Sequence, residues 1–241
     1  MNKYLEVGKK VLEKLEKYGH EAYFIGGTSR DQLLNKEVND IDITTSATPQ
    51  EVVLALSEYK IANKDGLYYG TVKYLIDDIE IEITTFRKEG IYIRSRRPIS
   101  VEFIKDKKVD SIRRDFTINA LYMDVRGKVY DFHKGLEDLN NKTIDTIGDP
   151  ELRFKEDALR MIRAIRFSLT LNMKLSQRVV DSIRKNAYLL DDLKENARNR
   201  EINKIKKLKT KEELVKIFND LNIDIERMIW YAKIRKKYTS N

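Results

Sequence analysis

The sequence predicts an α+β fold in two parts: a mixed sheet with helices over residues 1–145, then helices alone over 146–241. Three observations carry this expectation. Polar and apolar residues alternate with a period of two in residues 40–44 and 79–84, the mark of strands with one buried face. A short β-prone run, Tyr23 to Ile25, ends on Gly26-Gly27 and leads into a polar stretch of helix length. After Asp149-Pro150 the spacing of apolar residues becomes helical and stays so.

Along the chain, residues 2–19 place Tyr4, Val7, Val11, Leu12, Leu15 and Tyr18 at helical spacing, although Gly8 falls inside the pattern. A second helix is expected from Ser29. The strand after it sets Asp40, Asp42 and Thr44 on one face and Ile41 and Ile43 on the other. Thr48-Pro49 opens a further helix, with Thr48 as cap and proline at the first position, running to about Tyr59. Strands are expected at 71–75, 79–86, 100–104 and 129–132; in the second, Ile79, Ile81 and Ile83 oppose Glu80, Glu82 and Thr84. In the helical part, residues 156–169 form one helix whose apolar stripe is Ala158, Met161, Ile162, Ile165 and Leu169.

Composition narrows the chemistry. A chain of 241 residues can bury one substantial core with a smaller helical unit beside it, and its net charge of +8 points to a polyanionic partner. With no cysteine there are no disulfides or thiolate metal sites, and the two histidines are too few for a histidine-rich zinc site. Any catalytic metal must therefore rest on carboxylates. No apolar run is long enough to span a bilayer and the N-terminal segment lacks a signal peptide's apolar core, so a cytoplasmic protein without a membrane partner is expected.

The densest chemistry lies in residues 22–46. Gly26 and Gly27 can bend sharply and let backbone N–H groups approach an anion, and the following helix N-terminus adds positive potential. Two strand residues apart, Asp40 and Asp42 sit about 7 Å from each other at Cα, close enough to converge on Mg²⁺. Singly, such glycines are more often a tight turn and such aspartates more often a solvated face. Within one strand-turn-helix-strand unit they point to nucleotide chemistry.

GGTSRD followed by NDIDITT is similar to the first signature of the polymerase-beta nucleotidyltransferase superfamily, and within it to the bacterial (class II) tRNA nucleotidyltransferases and poly(A) polymerases. Ser29 stands where that family usually has valine. RRDFTINAL, residues 113–121, resembles the second motif and KEDALR, residues 155–160, the base-reading one. Asp131, Gly135 and Asp138 resemble a third, structural motif. The resemblance implies a polymerase-beta-like nucleotidyltransferase head over 1–145, followed over 146–241 by a helical neck and a truncated body that reads bases and binds RNA.

The implied activity is metal-dependent, template-independent addition of C and A from CTP and ATP to the 3′ end of tRNA, with release of pyrophosphate. Asp40 and Asp42 would be the catalytic carboxylates and the ligands of Mg²⁺, with Glu82 a third candidate ligand or simply part of a polar sheet face. Gly26, Gly27 and Arg30 would hold the triphosphate. Arg114 and Asp115 would bind ribose hydroxyls, with a plain ion pair as the rival reading.

Asp157 accepts and Arg160 donates, a pair complementary to the amine and ring nitrogen of cytosine and adenine but mismatched to guanine and uracil. Glu156 would orient Arg160. An ion-paired helix surface is the ordinary alternative. Arg96, Arg97 and Arg163 are candidate RNA contacts, the first two in a basic loop where Arg94 replaces the family's usual acidic residue. Arg200 and Glu201 resemble the last neck motif, on a helix that would steady the base-reading one.

The family usually continues into body and tail regions that grip the tRNA elbow, so a lone chain of this length is expected to reach only the acceptor end, and elbow contacts would be absent or come from a homodimer, through Trp230, Tyr231 and neighbours, or from a partner subunit. A poly(A) polymerase, a partial CC-adding or A-adding enzyme, and a non-catalytic nucleotide- or RNA-binding regulator remain as alternatives.

Overall fold

The structure is a computed structural model that describes residues 2–90, 92–93 and 97–226. Arg94, Arg96, Trp230 and Tyr231 lie outside the described residues, as does the side chain of Arg97. The chain divides into two compact units, with the main boundary between Asn140 and Asn141 and the described residues of 92–97 grouped with the second unit. It falls a few residues before the expected one because β12 (Thr143–Ile144) pairs in parallel with β13 (Lys174–Leu175), which ties it to the helical unit.

In the first unit the order is α1 (Lys3–Lys17), β1 (Ala22–Phe24), α2 (Gly27–Leu33), β2 (Ile41–Thr45), α3 (Pro49–Ala55), β3 (Lys60–Asn63), β4 (Thr71–Ile76) and β5 (Ile79–Thr85). Then come β6 (Arg87–Glu89), β9 (Val101–Phe103), α4 (Lys107–Ile112), β10 (Leu121–Met123), β11 (Val129–Asp131) and α5 (Gly135–Asn140), while the intervening β7 (Tyr92–Ile93) and Arg97 of β8 (Arg97–Pro98) are grouped with the second unit. Seven of the strands form one mixed sheet in the order β11-β10-β1-β2-β5-β4-β3. Only β2 and β5 pair in parallel within it; the other pairs are antiparallel.

The alternation seen in the sequence sets the two faces. Ile41, Ile43, Ile79, Ile81 and Ile83 point into the main core, where α1 contributes Val7, Val11, Leu12 and Leu15. Gly8 is what lets α1 settle there: a Cβ at this position would stand 2.6 Å from the Phe24 ring. The cost of glycine inside a helix is thus offset by close packing. On the other face Tyr23, Ile25, Phe86 and Tyr122 form a second, aromatic cluster. α3 starts as expected, with a capping box between Thr48 and Glu51, but ends at Ala55.

Tyr74 on β4 is fully buried, and its hydroxyl has no hydrogen-bond partner among the described residues. Burial pushes its pKa up to about 12, so the group stays neutral. A buried hydroxyl without a partner costs on the order of 1–3 kcal/mol. Tyr74→Phe should therefore raise the stability of the protein by about 1 kcal/mol in denaturant titrations; a loss of stability instead would show that the hydroxyl has a partner in solution.

The second unit contains β12 and β13 with α6 (Pro150–Glu156), α7 (Leu159–Leu171), α8 (Gln177–Asn186), α9 (Glu195–Ile205) and α10 (Lys211–Asn219). Here the sequence expectation needs correcting, because residues 156–169 do not form one helix. α6 ends at Glu156 and Asp157 is extended, with φ −145° and ψ 99°. The Asp157 carboxylate then accepts the Leu159 N–H at 3.0 Å, just where α7 begins. Ala158, Met161, Ile162 and Ile165 are buried as expected. Glu201 on α9 is buried and pairs with Arg166 of α7 at 2.6 Å, which braces the two helices; Arg200 is exposed.

Candidate active site

Gly26 makes the sharp turn between β1 and α2, at φ +65° and ψ −127°, a conformation that L side chains rarely adopt. A Cβ there would also come within 3.2 Å of Asp42 Oδ2. Gly27 is already the first residue of α2, so the helix begins two residues earlier than its sequence suggests. Thr28 locks turn and strand together: its hydroxyl donates to the Asp40 carbonyl at 3.0 Å and accepts the Asp42 N–H at 2.8 Å. Ser29, the departure from the family pattern, is fully buried.

Across the sheet, register places Asp42 beside Glu82 of β5 and Glu82 beside Lys73 of β4. Thr44, Thr84 and Thr71 form the next row, joined by a 3.1 Å bond between the hydroxyls of Thr71 and Thr84. Asp40 precedes β2 and is exposed, whereas Asp42 is half-buried. Burial, then the charges of Glu82 and Asp40, push the Asp42 carboxyl up to about 6, against the smaller opposing pull of Arg114 and Lys73. Negative charge is therefore held at some cost at the foot of a glycine turn, an arrangement that a divalent cation relieves.

Glu82 lies 3.4 Å from Lys73, and among the described residues no three histidine or carboxylate side chains gather into a metal-holding group. Two aspartates still fit Mg²⁺, which is bound through one or two carboxylates with waters and substrate phosphates completing its shell.

Arg30 is buried and preorganised. Its Nε and Nη2 donate to the two oxygens of Asp31, each at 2.9 Å, and Nη1 donates to Asn119 Oδ1 at 2.8 Å. Arg114 donates from Nε to the Tyr122 hydroxyl at 3.0 Å and from Nη2 to Asp110 at 2.9 Å. Asp115 accepts the Phe116 N–H at 2.8 Å. In the second unit, Glu156 Oε2 accepts from Arg160 Nη1 at 2.7 Å, and the same nitrogen donates to the Arg153 carbonyl at 3.0 Å. Arg163 lies over the Phe167 ring, its guanidinium carbon 5.3 Å from the centroid.

Thr28, Asp31, Asp110, Asn119 and Arg153 were not singled out from the sequence. For Asp110 a signal existed, an acid three and four residues ahead of an arginine pair, the spacing of neighbours on a helix.

A mixed sheet that sets an aspartate pair behind a glycine turn, followed by a helical unit, is the architecture of the polymerase-beta-like nucleotidyltransferases. The chain belongs to the poly A polymerase head domain family, whose model matches residues 22–145. It is 48% identical over 180 residues to the CCA-adding enzyme of Lactobacillus helveticus (strain DPC 4571), covering 75% of this chain and 44% of the relative. Among solved structures it is similar to the Bacillus stearothermophilus CCA-adding enzyme in complex with CTP, with 35% identity, a TM-score of 0.76, and coverage of 85% of this chain and 49% of that one.

A tRNA nucleotidyltransferase complexed with a primer tRNA and an incoming ATP analog matches with 28% identity and a TM-score of 0.69, over 91% of this chain and 62% of that one. The chain thus spans a little under half the length of the first two relatives. No helix among the described residues is long and apolar enough to cross a membrane.

Proposed function

We propose that this chain transfers nucleotides from CTP and ATP to the 3′ end of tRNA, building CCA and releasing pyrophosphate. The observation that carries the proposal is the half-buried Asp42, crowded by the charges of Asp40 and Glu82 beside the Gly26 turn. The names of the relatives, CCA-adding enzymes and a tRNA nucleotidyltransferase, supply the substrate class.

Asp40 and Asp42 would hold Mg²⁺, which when bound lowers the pKa of an attacking hydroxyl and offsets charge on the transferring phosphorus. Gly26 and Gly27 leave room for the triphosphate next to Asp42, and Arg30, held in place by Asp31 and Asn119, offers it positive charge. Arg114 and Asp115 take the ribose. Asp157 and Arg160 read the base edge, with Glu156 fixing the orientation of Arg160. Arg163, Arg96 and Arg97 are assigned to RNA. A cytoplasmic site of action accords with a tRNA substrate.

The test is to incubate the chain with tRNA that ends before CCA, labelled CTP and ATP, with and without Mg²⁺. Two C additions followed by one A and then arrest are expected, only with the metal present. Long A tails would replace the proposal with poly(A) synthesis, and addition of C alone or A alone with a partial enzyme. Nucleotide binding without pyrophosphate release would make the chain a regulator.

A further inference from the structure

Asp110, on α4, is fully buried, yet four donors from separate parts of the first unit converge on it. Its Oδ1 accepts the backbone N–H of Arg87 at 2.9 Å and Arg113 Nε at 2.8 Å. Oδ2 accepts Arg114 Nη2 at 2.9 Å and the Tyr122 hydroxyl at 2.6 Å. That hydroxyl, aimed by Asp110, is itself the acceptor for Arg114 Nε at 3.0 Å, and the Tyr122 ring lies 5.1 Å from the guanidinium carbon. One edge of Arg114 is therefore gripped by two oxygens, and its plane is set by an aromatic ring packed against Tyr23, Phe86 and Phe132.

The same carboxylate holds the first residue of β6, the strand that leads into the basic stretch. Arg87 in turn pairs with Glu89 at 2.6 Å, and Glu89 lies 3.7 Å from Arg113. Burial alone would raise the Asp110 carboxyl, but Arg114, Arg113, the Tyr122 hydroxyl and the Arg87 N–H together hold it well below the usual carboxylate range, so it stays charged.

Stability alone does not account for such a cluster, because a buried ion network often returns no more than well-packed apolar residues would. What it does achieve is geometry. Asp115, the neighbour of Arg114, accepts from Asn119 Nδ2 at 3.4 Å, and Asn119 Oδ1 accepts from Arg30 of α2 at 2.8 Å, which ties the Arg114 segment to the helix that follows the glycine turn. We propose that Asp110 is a positioning residue, which fixes the edge and plane of Arg114 so that this arginine can distinguish ribose from deoxyribose, and ties that discrimination to Arg87 at the start of β6. The proposal rests on the assignment of Arg114 to ribose given above.

The experiment compares binding of CTP and 2′-deoxy-CTP by equilibrium titration for the full chain and for Asp110→Asn, Arg114→Ala and the double variant, with thermal melts of each. Asparagine keeps the shape but presents an NH₂ to a ring of donors. The preference for CTP should fall about tenfold, the worth of a well-aligned hydrogen bond, and should fall no further when both changes are combined. Should Asp110→Asn melt below the assay temperature, Tyr122→Phe serves instead; it removes one of the two oxygens gripping Arg114 and should lower the preference about threefold.

A preserved preference in these variants, alongside its loss in Arg114→Ala, would overturn the role of Asp110 and leave the ribose assignment standing. A wild-type chain that binds both nucleotides equally would instead remove the assignment of Arg114, and the positioning role with it.

Discussion

Asp42→Asn is expected to lose nucleotide addition by at least ~10³-fold while making the metal-free protein more stable at neutral pH. Activity falls because asparagine cannot supply the charge that the proposed Mg²⁺ site needs from its more buried ligand. Stability rises for the reason that suits the site to a cation. The folded-state pKa of Asp42 is raised from 3.8 to about 6, so the ionised carboxylate is disfavoured by the fold.

Between pH 4 and 6 the unfolded chain binds fewer protons at this position than the folded one, so the carboxylate's penalty grows as pH rises and is fully present above 6. Two pH units correspond at most to about 3 kcal/mol, and water near a half-buried group reduces that, so a gain of about 1–2 kcal/mol is expected at pH 7 and almost none at pH 4. Thermal melts without metal at both pH values measure the difference. Wild-type protein should also need more Mg²⁺ for half-maximal activity below pH 6, as protons compete with the metal for the carboxylate. Near-normal addition by the asparagine variant, or a stability gain independent of pH, would refute the site assignment.

The second large effect concerns base choice. Arg160→Ala removes the donor of the proposed base-reading pair, and Asp157→Ala the acceptor. A site built on hydrogen bonds rejects the wrong partner mainly because its own buried groups would be left unpaired, and that rejection disappears with the group. Discrimination of CTP and ATP against GTP and UTP should fall roughly a hundredfold in either variant, with a smaller loss in triphosphate affinity. Single-turnover addition of each of the four nucleotides gives the ratios. An equal loss for all four would mean that Arg160, which also holds Glu156 and the Arg153 carbonyl, is part of the local scaffold and nothing more. Melting curves separate that outcome from simple unfolding, since Arg160 is only 5% exposed.

How much of this was legible beforehand depends on the kind of signal. The isoleucine alternation of β2 and β5 is a local pattern, and it correctly gave both the strands and the face on which Asp42 and Glu82 meet. The break at Asp157 was not readable from spacing. Buried Phe154 before it and buried Ala158, Met161 and Ile162 after it keep a helical rhythm across a residue whose backbone is extended, and only the bond from the Leu159 N–H to its side chain reveals a new start. Asp110 was legible only in part, through its spacing to Arg113 and Arg114. Its partners at Arg87 and Tyr122 are remote in sequence, and no pattern of nearby residues encodes a bond formed by tertiary packing. β3 escaped notice because its residues, mostly exposed at the sheet edge, carry almost no apolar alternation.

The glycine at position 8 bears on where this protein can be cut. The family match starts at residue 22, after α1, yet that helix seats Val7, Val11, Leu12 and Leu15 in the main core, against Phe24 and Ile41. The span recognised as common to the family is therefore shorter than the span that folds. A fragment trimmed to residues 22–145 would keep both aspartates and the glycine turn but leave the apolar side of the sheet open to water, and would serve better as a substrate for chaperones than as a minimal enzyme.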